Sequence, residues 1–141
     1  MRHQRGEPSG SWVLIADGNR RSAEALARRF SREGLFTHAT ARGREALELA
    51  YFLPLAAAIV DVHLADMNGY DLIAGLKQLD ADLAVVVTAS GGSRRSEVRA
   101  RQLGIVHYAT KPIDFPHLYA VVIKAIADAS AACGPIQGAG P

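Results

Sequence analysis

Four polar residues stand at or just after the end of a short apolar run in this sequence. They are Asp17, Asp61, Thr88 and Lys111. An aspartate carboxylate can act as a covalent nucleophile, so Asp61 could accept a phosphoryl group. Asp17 offers the hard oxygen ligands that Mg²⁺ prefers. Because Thr88 could hydrogen-bond one phosphoryl oxygen and Lys111 could neutralise another, the four side chains are the parts of a phosphoryl-transfer site.

Taken singly, each of these residues also has a simpler interpretation. An aspartate at the end of a strand, such as Asp17, often caps a helix or forms a turn. Thr88 alone is more often structural, and Lys111 alone is more often a solvated loop residue. The chemical interpretation depends on the joint pattern, because all four follow successive apolar runs of one alternating chain.

The elements that must position these residues are short strands alternating with helices. Apolar runs predict five strands, at residues 12–16, 35–40, 56–60, 83–87 and 105–109. A helix is predicted after each strand, and the first has Ala23, Leu26, Ala27 and Phe30 at helical spacing. The fourth, at residues 93–103, is helical by composition but poorly amphipathic. This alternation predicts a three-layer, doubly wound α/β fold with a five-stranded parallel sheet. In such folds ligands bind at the carboxyl ends of the strands, where the four polar residues lie.

Composition limits the class of protein. The chain has 141 residues, 49% of them hydrophobic and 21% charged, which is typical of one globular domain. A net charge of +2 predicts no direct binding to nucleic acid. Cys133 is the single cysteine, so the chain forms no internal disulfide. No apolar stretch approaches the roughly 20 residues of a membrane span, and we expect a soluble, cytoplasmic protein without membrane contact.

The domain boundaries follow from glycine and proline content. Residues 1–11 are polar and predict a flexible lead-in. Residues 12–132 form the predicted domain. Residues 133–141, with the sequence GPIQGAGP from Gly134, predict a flexible tail.

Four segments carry a resemblance to a known family. They are VLIADGN at 13–19, AAAIVDVHLADMNGYDLI at 56–73, VVVTAS at 85–90 and HYATKP at 107–112. In order and spacing they resemble the receiver domains of two-component response regulators, over roughly residues 12–132. The first segment resembles the family's acidic strand end, and the second resembles the phosphoacceptor aspartate with a turn ending at Gly69. The others resemble the signalling threonine, the switch aromatic Tyr108 and the lysine–proline step.

The resemblance implies a fold, a cofactor and partners. The strand order would be 2-1-3-4-5, as in flavodoxin-like folds. Asp61 would accept a phosphoryl group from a histidine kinase or a histidine phosphotransfer protein, with Thr88 and Lys111 assisting. Mg²⁺ would be held by Asp17, Asp61 and the backbone carbonyl of His63. The chain would be a signalling module rather than an enzyme.

The resemblance also implies a signalling route. Thr88 would move towards the phosphoryl oxygens and Tyr108 would follow it inward. The surface of the fourth helix, the fifth strand and the fifth helix would then change. Since no output domain follows in this sequence, the output would be a partner protein or a domain missing from this chain.

Two positions depart from the family pattern. Gly18 stands where the second acid of the acidic pair, usually a direct Mg²⁺ ligand, is expected, and Ala65 stands where proline is usual. The first departure predicts weak Mg²⁺ binding, with Asn19 as a possible substitute ligand. It also predicts that Lys111 pairs directly with Asp61 in the absence of metal. The side chain of His63 could either influence hydrolysis of an acyl phosphate or contact nothing.

Gly18 also motivates an alternative function, a receiver-like docking module that signals without phosphorylation. Against it, Asp61, Thr88 and Lys111 are all present. An aspartate-nucleophile phosphatase of the haloacid dehalogenase type is disfavoured, because such an enzyme needs a second aspartate at the position of His63. A flavodoxin-like FMN carrier is disfavoured as well, since no Ser/Thr-Gly phosphate cradle follows the first strand.

Overall fold

The computed structural model of the protein describes residues 12–139, with side chains through residue 129. The strands are β1 (Trp12–Ala16), β2 (Phe36–Thr40), β3 (Leu55–Asp61), β4 (Ala84–Ser90) and β5 (His107–Lys111). The helices are α1 (Arg20–Arg32), α2 (Gly43–Phe52), α3 (Gly69–Leu79), α4 (Arg94–Gln102) and α5 (Phe115–Ala139). The predicted lead-in, residues 1–11, lies outside the described residues.

All five strands are parallel and lie in the order β2-β1-β3-β4-β5. The predicted fold class and strand order are therefore confirmed. Central strands alternate their buried side chains between two faces, so that Val13 and Ile15 lie on one face and Leu14 and Ala16 on the other. Helices α1 and α5 cover the first face, and α2, α3 and α4 cover the second. These are the three layers expected of a doubly wound fold.

Two strands, β4 and the edge strand β5, end later than their apolar runs. β5 was predicted at residues 105–109 but spans His107–Lys111, because its pairing with β4 continues to the Ser90–Lys111 position. β4 likewise extends to Ser90 and includes Thr88. Polar residues can take part in strand pairing near the edge of a sheet. A prediction from hydrophobicity alone therefore ends β4 and β5 too early. Lys111 is thus the last residue of a strand rather than part of the following loop.

The last helix extends beyond the predicted domain end at residue 132. Its backbone remains helical to Ala139, into the segment predicted as a flexible tail. Alanine has the highest helix propensity, and the alanine-rich stretch before residue 133 favours continuation of a helix once it has started. None of the described helices is long and apolar enough to cross a membrane.

Candidate functional site

The sheet brings the four predicted residues to one edge. Asp61 pairs with Thr88 across β3 and β4, and Ala16, the neighbour of Asp17, pairs with Val60 across β1 and β3. Asp17, Asp61 and Thr88 are 8%, 5% and 3% exposed, respectively. Lys111 reaches the same place from the end of β5. The site therefore contains two nearly buried carboxylates, a buried hydroxyl and one ammonium group.

Lys111 bridges the two carboxylates. Its Nζ lies 2.7 Å from Oδ2 of Asp17 and 2.6 Å from Oδ2 of Asp61. Burial disfavours the charged form of Lys111, but the hydrogen bonds to Asp17 and Asp61 outweigh this effect and raise its pKa above the ordinary value. The predicted pairing with Asp61 is present, and Asp17 shares the same ammonium group.

The remaining carboxylate oxygens are bound by backbone amides. Asn19 donates its N–H to Oδ1 of Asp17 at 2.9 Å, and His63 donates its N–H to Oδ1 of Asp61 at 2.8 Å. The Thr88 hydroxyl donates to Oδ2 of Asp61 at 3.2 Å. Every carboxylate oxygen thus has a donor, and both side chains are held in fixed orientations.

Gly18 allows two loops to meet beside this site. Its N–H donates to the carbonyl of His63 at 2.9 Å. A Cβ atom at this position would lie 2.7 Å from the same carbonyl oxygen and 3.2 Å from Cα of Leu64. Any side chain at position 18 must therefore displace the β3–α3 loop, residues 62–68. The sequence pattern marks Gly18 as the position of a missing acid, but nothing in the local sequence indicates this close backbone contact.

The donor set suits Mg²⁺, although it is smaller than in a site with three carboxylates. Two carboxylates that share one ammonium are close enough to share one small cation, and Mg²⁺ commonly binds through one or two carboxylates while keeping several waters. The described residues contain no group of three His, Cys, Asp or Glu side chains that could hold a metal. The His63 carbonyl, predicted as a ligand, already accepts the Gly18 N–H and has one lone pair left.

The suggestion that Asn19 substitutes for the missing acid is not supported. Its Oδ1 accepts the N–H of Ser22 at 3.1 Å and so caps the first turn of α1. A side chain used in this way satisfies a free amide of the helix and is not available to the site. The side chain of His63 is exposed.

A cleft of about 310 Å³ opens beside the site. Asp17 and Lys111 lie in its wall, together with Ser22, Arg29 and Phe115 from α1 and the start of α5. The guanidinium of Arg29 lies over the Phe115 ring, 4.3 Å from its centroid. The cleft therefore lies between α1 and the segment that joins β5 to α5.

Tyr108 lies against the loop that follows β4. Its hydroxyl is buried and has no hydrogen-bond partner among the described residues. Burial, together with the nearby Tyr70, raises the pKa of Tyr108 above its ordinary value. The hydroxyl occupies the space that a Cβ atom at Gly92 would need. The inward position of Tyr108 therefore depends on glycine at position 92.

We expect the Gly92→Ala variant to expel Tyr108 from this position, because the new Cβ would overlap the hydroxyl. The ring then becomes solvated, and the pKa of Tyr108 falls towards the ordinary value of 10.0. NMR of labelled tyrosine rings during a pH titration measures this change. In the Gly92→Ala/Tyr108→Phe double variant the overlapping oxygen is absent, and NMR of labelled phenylalanine rings should show the new ring at position 108 still buried. An unchanged Tyr108 signal in Gly92→Ala would contradict this account.

The chain matches the family model of the response regulator receiver domain over residues 13–123. It belongs to the response regulator receiver domains. This receiver domain is 28% identical over 118 residues to the DNA-binding transcriptional regulator NtrC of Azospirillum brasilense, covering 84% of this chain and 24% of that protein. It is also 28% identical over 102 residues to the photosynthetic apparatus regulatory protein RegA of Cereibacter sphaeroides, covering 72% of this chain and 55% of RegA. The receiver domain thus spans only a quarter to about half of these relatives.

Solved structures show the same fold. A CheY-like receiver domain from Methanospirillum hungatei superposes with a TM-score of 0.82 at 19% identity, covering 86% of this chain and 98% of the other. A response regulator from Burkholderia pseudomallei, solved with a phosphorylated aspartic acid, a calcium ion and citrate, superposes with a TM-score of 0.76 at 29% identity. That comparison covers 86% of this receiver domain and 72% of the Burkholderia chain.

Proposed function

We propose that this receiver domain accepts a phosphoryl group on Asp61 from the phosphohistidine of a partner kinase or phosphotransfer protein. The observation that carries the proposal is the convergence of two donors on one carboxylate oxygen. Lys111 Nζ and the Thr88 hydroxyl lie 2.6 and 3.2 Å from Oδ2 of Asp61, which is 5% exposed. The Burkholderia structure with a phosphorylated aspartic acid supports the same chemistry in a related chain.

The transfer exchanges one bond to phosphorus for another. An oxygen of the ionised Asp61 forms the new P–O bond while the P–N bond of the phosphohistidine breaks. The electron pair of that bond leaves with the imidazole, which takes up a proton, and Asp61 becomes an acyl phosphate. Lys111 neutralises charge on the phosphoryl oxygens, and Thr88 can move its hydroxyl hydrogen bond from Asp61 to one of them.

Mg²⁺ would supply further neutralisation of the phosphoryl charge. Asp17, Asp61 and the carbonyl of His63 are the groups that would hold it. To do so, the Asp17 carboxylate exchanges its hydrogen bond from Lys111 for the metal. We infer weak Mg²⁺ binding, since Gly18 provides no carboxylate and the ammonium of Lys111 already satisfies the other two.

Incubation with acetyl phosphate and Mg²⁺ tests this function. We expect intact mass spectrometry to show one added phosphoryl group on the wild type and none on Asp61→Asn, because no other carboxylate has both Lys111 and Thr88 as donors. Phosphate mapped to Asp66 or Asp71, or retained by Asp61→Asn, would contradict the assignment. The amide has nearly the shape of the carboxylate, and circular dichroism of Asp61→Asn checks that a loss of phosphorylation is not a loss of folding.

Signalling is proposed to pass through the surface of α4, β5 and α5. Only Ala100 is buried among the nine residues of α4, and such a weakly packed helix can shift at low cost. Tyr108 lies on β5 and borders this surface. On α5, Lys124 is exposed, whereas the ring of Tyr119, predicted on the flank of this surface, packs against Phe30 of α1 and Phe115.

We expect binding of the cognate partner to change the amide signals of residues 93–125. A switch aromatic can only affect the surface that it borders, which is the reason for this expectation. Chemical-shift mapping with the partner protein gives the measurement. Changes confined to α1 and α2 would contradict the assignment of this surface.

A docking module that signals without phosphorylation is the second candidate, and the missing acid at Gly18 favours it. The affinity for the partner can be measured for the wild type treated with acetyl phosphate and for Asp61→Asn. Equal affinities would support the second candidate over the first. Under either candidate we propose a cytoplasmic module without catalytic turnover of its own and without direct nucleic-acid or membrane contact. Its output is then a partner protein or a further domain of a longer chain.

A further inference from the structure

The N-terminus of α2 is capped by a residue far away in the sequence. Arg42 at the N-cap position makes no side-chain hydrogen bond to the helix. Instead, Asp66 accepts the N–H of Gly43 at 2.6 Å with Oδ1 and the N–H of Arg44 at 3.1 Å with Oδ2. The first amides of a helix lack internal partners and attract negative charge, so the Asp66 carboxylate satisfies both needs.

The neighbours of Asp66 attach the same loop to the same helix. The N–H of Ala65 donates to the carbonyl of Ala41 at 2.8 Å. The side chain of Met67 packs against Gly43 so closely that a Cβ atom there would overlap it. Three consecutive residues of the β3–α3 loop are thus fixed on the start of α2.

The other end of this loop touches the candidate phosphoacceptor. The N–H of His63 donates to Oδ1 of Asp61 at 2.8 Å, and the His63 carbonyl accepts the N–H of Gly18 at 2.9 Å. Only Leu64 separates His63 from the attached segment. The position of the His63 backbone therefore depends on where the loop is held.

We propose that Asp66 is a positioning residue for phosphoryl acceptance at Asp61. By capping α2 it holds the β3–α3 loop, and the loop holds the His63 amide on Asp61. The catalytic part of this inference rests on the proposed function, whereas the structural part does not.

The charge state of Asp66 agrees with this role. Hydrogen bonds from the amides of Arg44 and Gly43 lower the pKa of Asp66 below its ordinary value. The ionised form is the one that accepts two amide hydrogen bonds, so the cap persists at neutral pH.

The test compares Asp66→Ala with a matched control on the same helix. Glu45 lies in the first turn of α2, and its Oε1 accepts the hydroxyl of Thr40 at 2.5 Å. Glu45→Ala therefore weakens the start of α2 without removing a contact of the β3–α3 loop. Two properties are measured for each variant: the rate of phosphorylation by acetyl phosphate, and the hydrogen exchange of the amides of Gly18, His63 and Ala65.

We expect Asp66→Ala to slow phosphorylation by about tenfold, since small misplacements of reacting groups have effects of this size or larger. Exchange at the three amides should rise at the same time. Glu45→Ala should change both properties much less. Asp66→Asn keeps one acceptor oxygen and should lie between Asp66→Ala and the wild type, which provides a second series if Asp66→Ala does not fold.

The outcomes separate this inference from the proposed function. Wild-type rate and wild-type exchange in Asp66→Ala would overturn the positioning role. Equal slowing in Asp66→Ala and Glu45→Ala would also overturn it, because the effect would then come from helix stability. If the wild type takes up no phosphoryl group, the proposed function fails. In that case the hydrogen-exchange data alone test whether Asp66 holds the loop. Faster exchange in Asp66→Ala than in the wild type would support this attachment, and equal exchange would refute it.

Discussion

The Gly18→Asp variant is expected to bind Mg²⁺ about tenfold more tightly than the wild type, or more, because loss of a metal-site partner typically costs 10- to 100-fold. The new carboxylate adds a ligand and a negative charge beside Asp17 and Asp61. It also competes with Lys111, which occupies both existing carboxylates. Phosphorylation by acetyl phosphate should become faster as a consequence.

The structure adds a steric effect that needs its own control. A Cβ atom at position 18 would lie 2.7 Å from the His63 carbonyl oxygen, so any substitution moves the β3–α3 loop. Gly18→Ala introduces this movement without a carboxylate. We expect Gly18→Ala to bind Mg²⁺ no better than the wild type, and the difference between the two variants isolates the ligand effect. Equal affinities in Gly18→Asp and Gly18→Ala would refute the role of the missing acid.

Calorimetry is the appropriate measurement for this titration. Trp12 begins β1, and its ring contacts that of Phe36 at a tilt of 41° with the centroids 5.2 Å apart, whereas Asp17 follows the other end of the strand. At about 3.3 Å per residue, the five steps between them span roughly 16 Å. The fluorescence of the single tryptophan is therefore a poor reporter of Mg²⁺ at the site.

The Lys111→Met variant is expected to lose about 2 kcal/mol of folding free energy in the absence of divalent ions. Removing one partner of a fully buried ion pair costs about 3–5 kcal/mol. We expect less here because the Lys111 side chain is 26% exposed. Methionine keeps the length of the aliphatic stem, so the loss of stability measures the contribution of the ammonium group. That group lies between the like charges of Asp17 and Asp61 and offsets their repulsion.

Added Mg²⁺ should restore part of this stability. It can replace the ammonium between the two carboxylates, and each tenfold excess over its dissociation constant stabilises the folded state by about 1.4 kcal/mol. Urea unfolding with and without Mg²⁺ provides the measurement, and the Asp17→Asn/Lys111→Met double variant is the control. With one charge removed, the double variant should be more stable than Lys111→Met and respond less to Mg²⁺. A Lys111→Met protein as stable as the wild type in chelator would contradict the bridging role.

Much of the fold could be predicted because burial on both faces leaves a clear pattern. The continuous apolar run of β1 predicted Trp12–Ala16, and these are its bounds. The alternation of strands and helices predicted the parallel sheet, since right-handed crossovers leave few arrangements. β5 was misplaced by two residues, because its last positions at the sheet edge, Thr110 and Lys111, are polar.

The sequence predicted which side chains of the candidate site lie close together, but it did not predict the backbone contacts around them. Asp17, Asp61 and Lys111 lie together because strand ends meet at one edge, which is a rule of topology. The contact of Gly18 with His63 and the cap supplied by Asp66 join segments more than 20 residues apart. Such contacts depend on loop conformation, for which this sequence has no periodic signal.

Because of the contact between Tyr108 and Gly92, the position of the Tyr108 ring and the uptake of a phosphoryl group depend on different residues and can be inherited separately. Under the proposed function, Asp61 and its neighbours determine how readily a phosphoryl group is taken up. The side chain at position 92 determines whether Tyr108 fits inside the fold. Under the same proposal, a single codon change in the β4–α4 loop would alter the surface that Tyr108 borders and leave Asp61, Thr88 and Lys111 themselves unchanged in sequence.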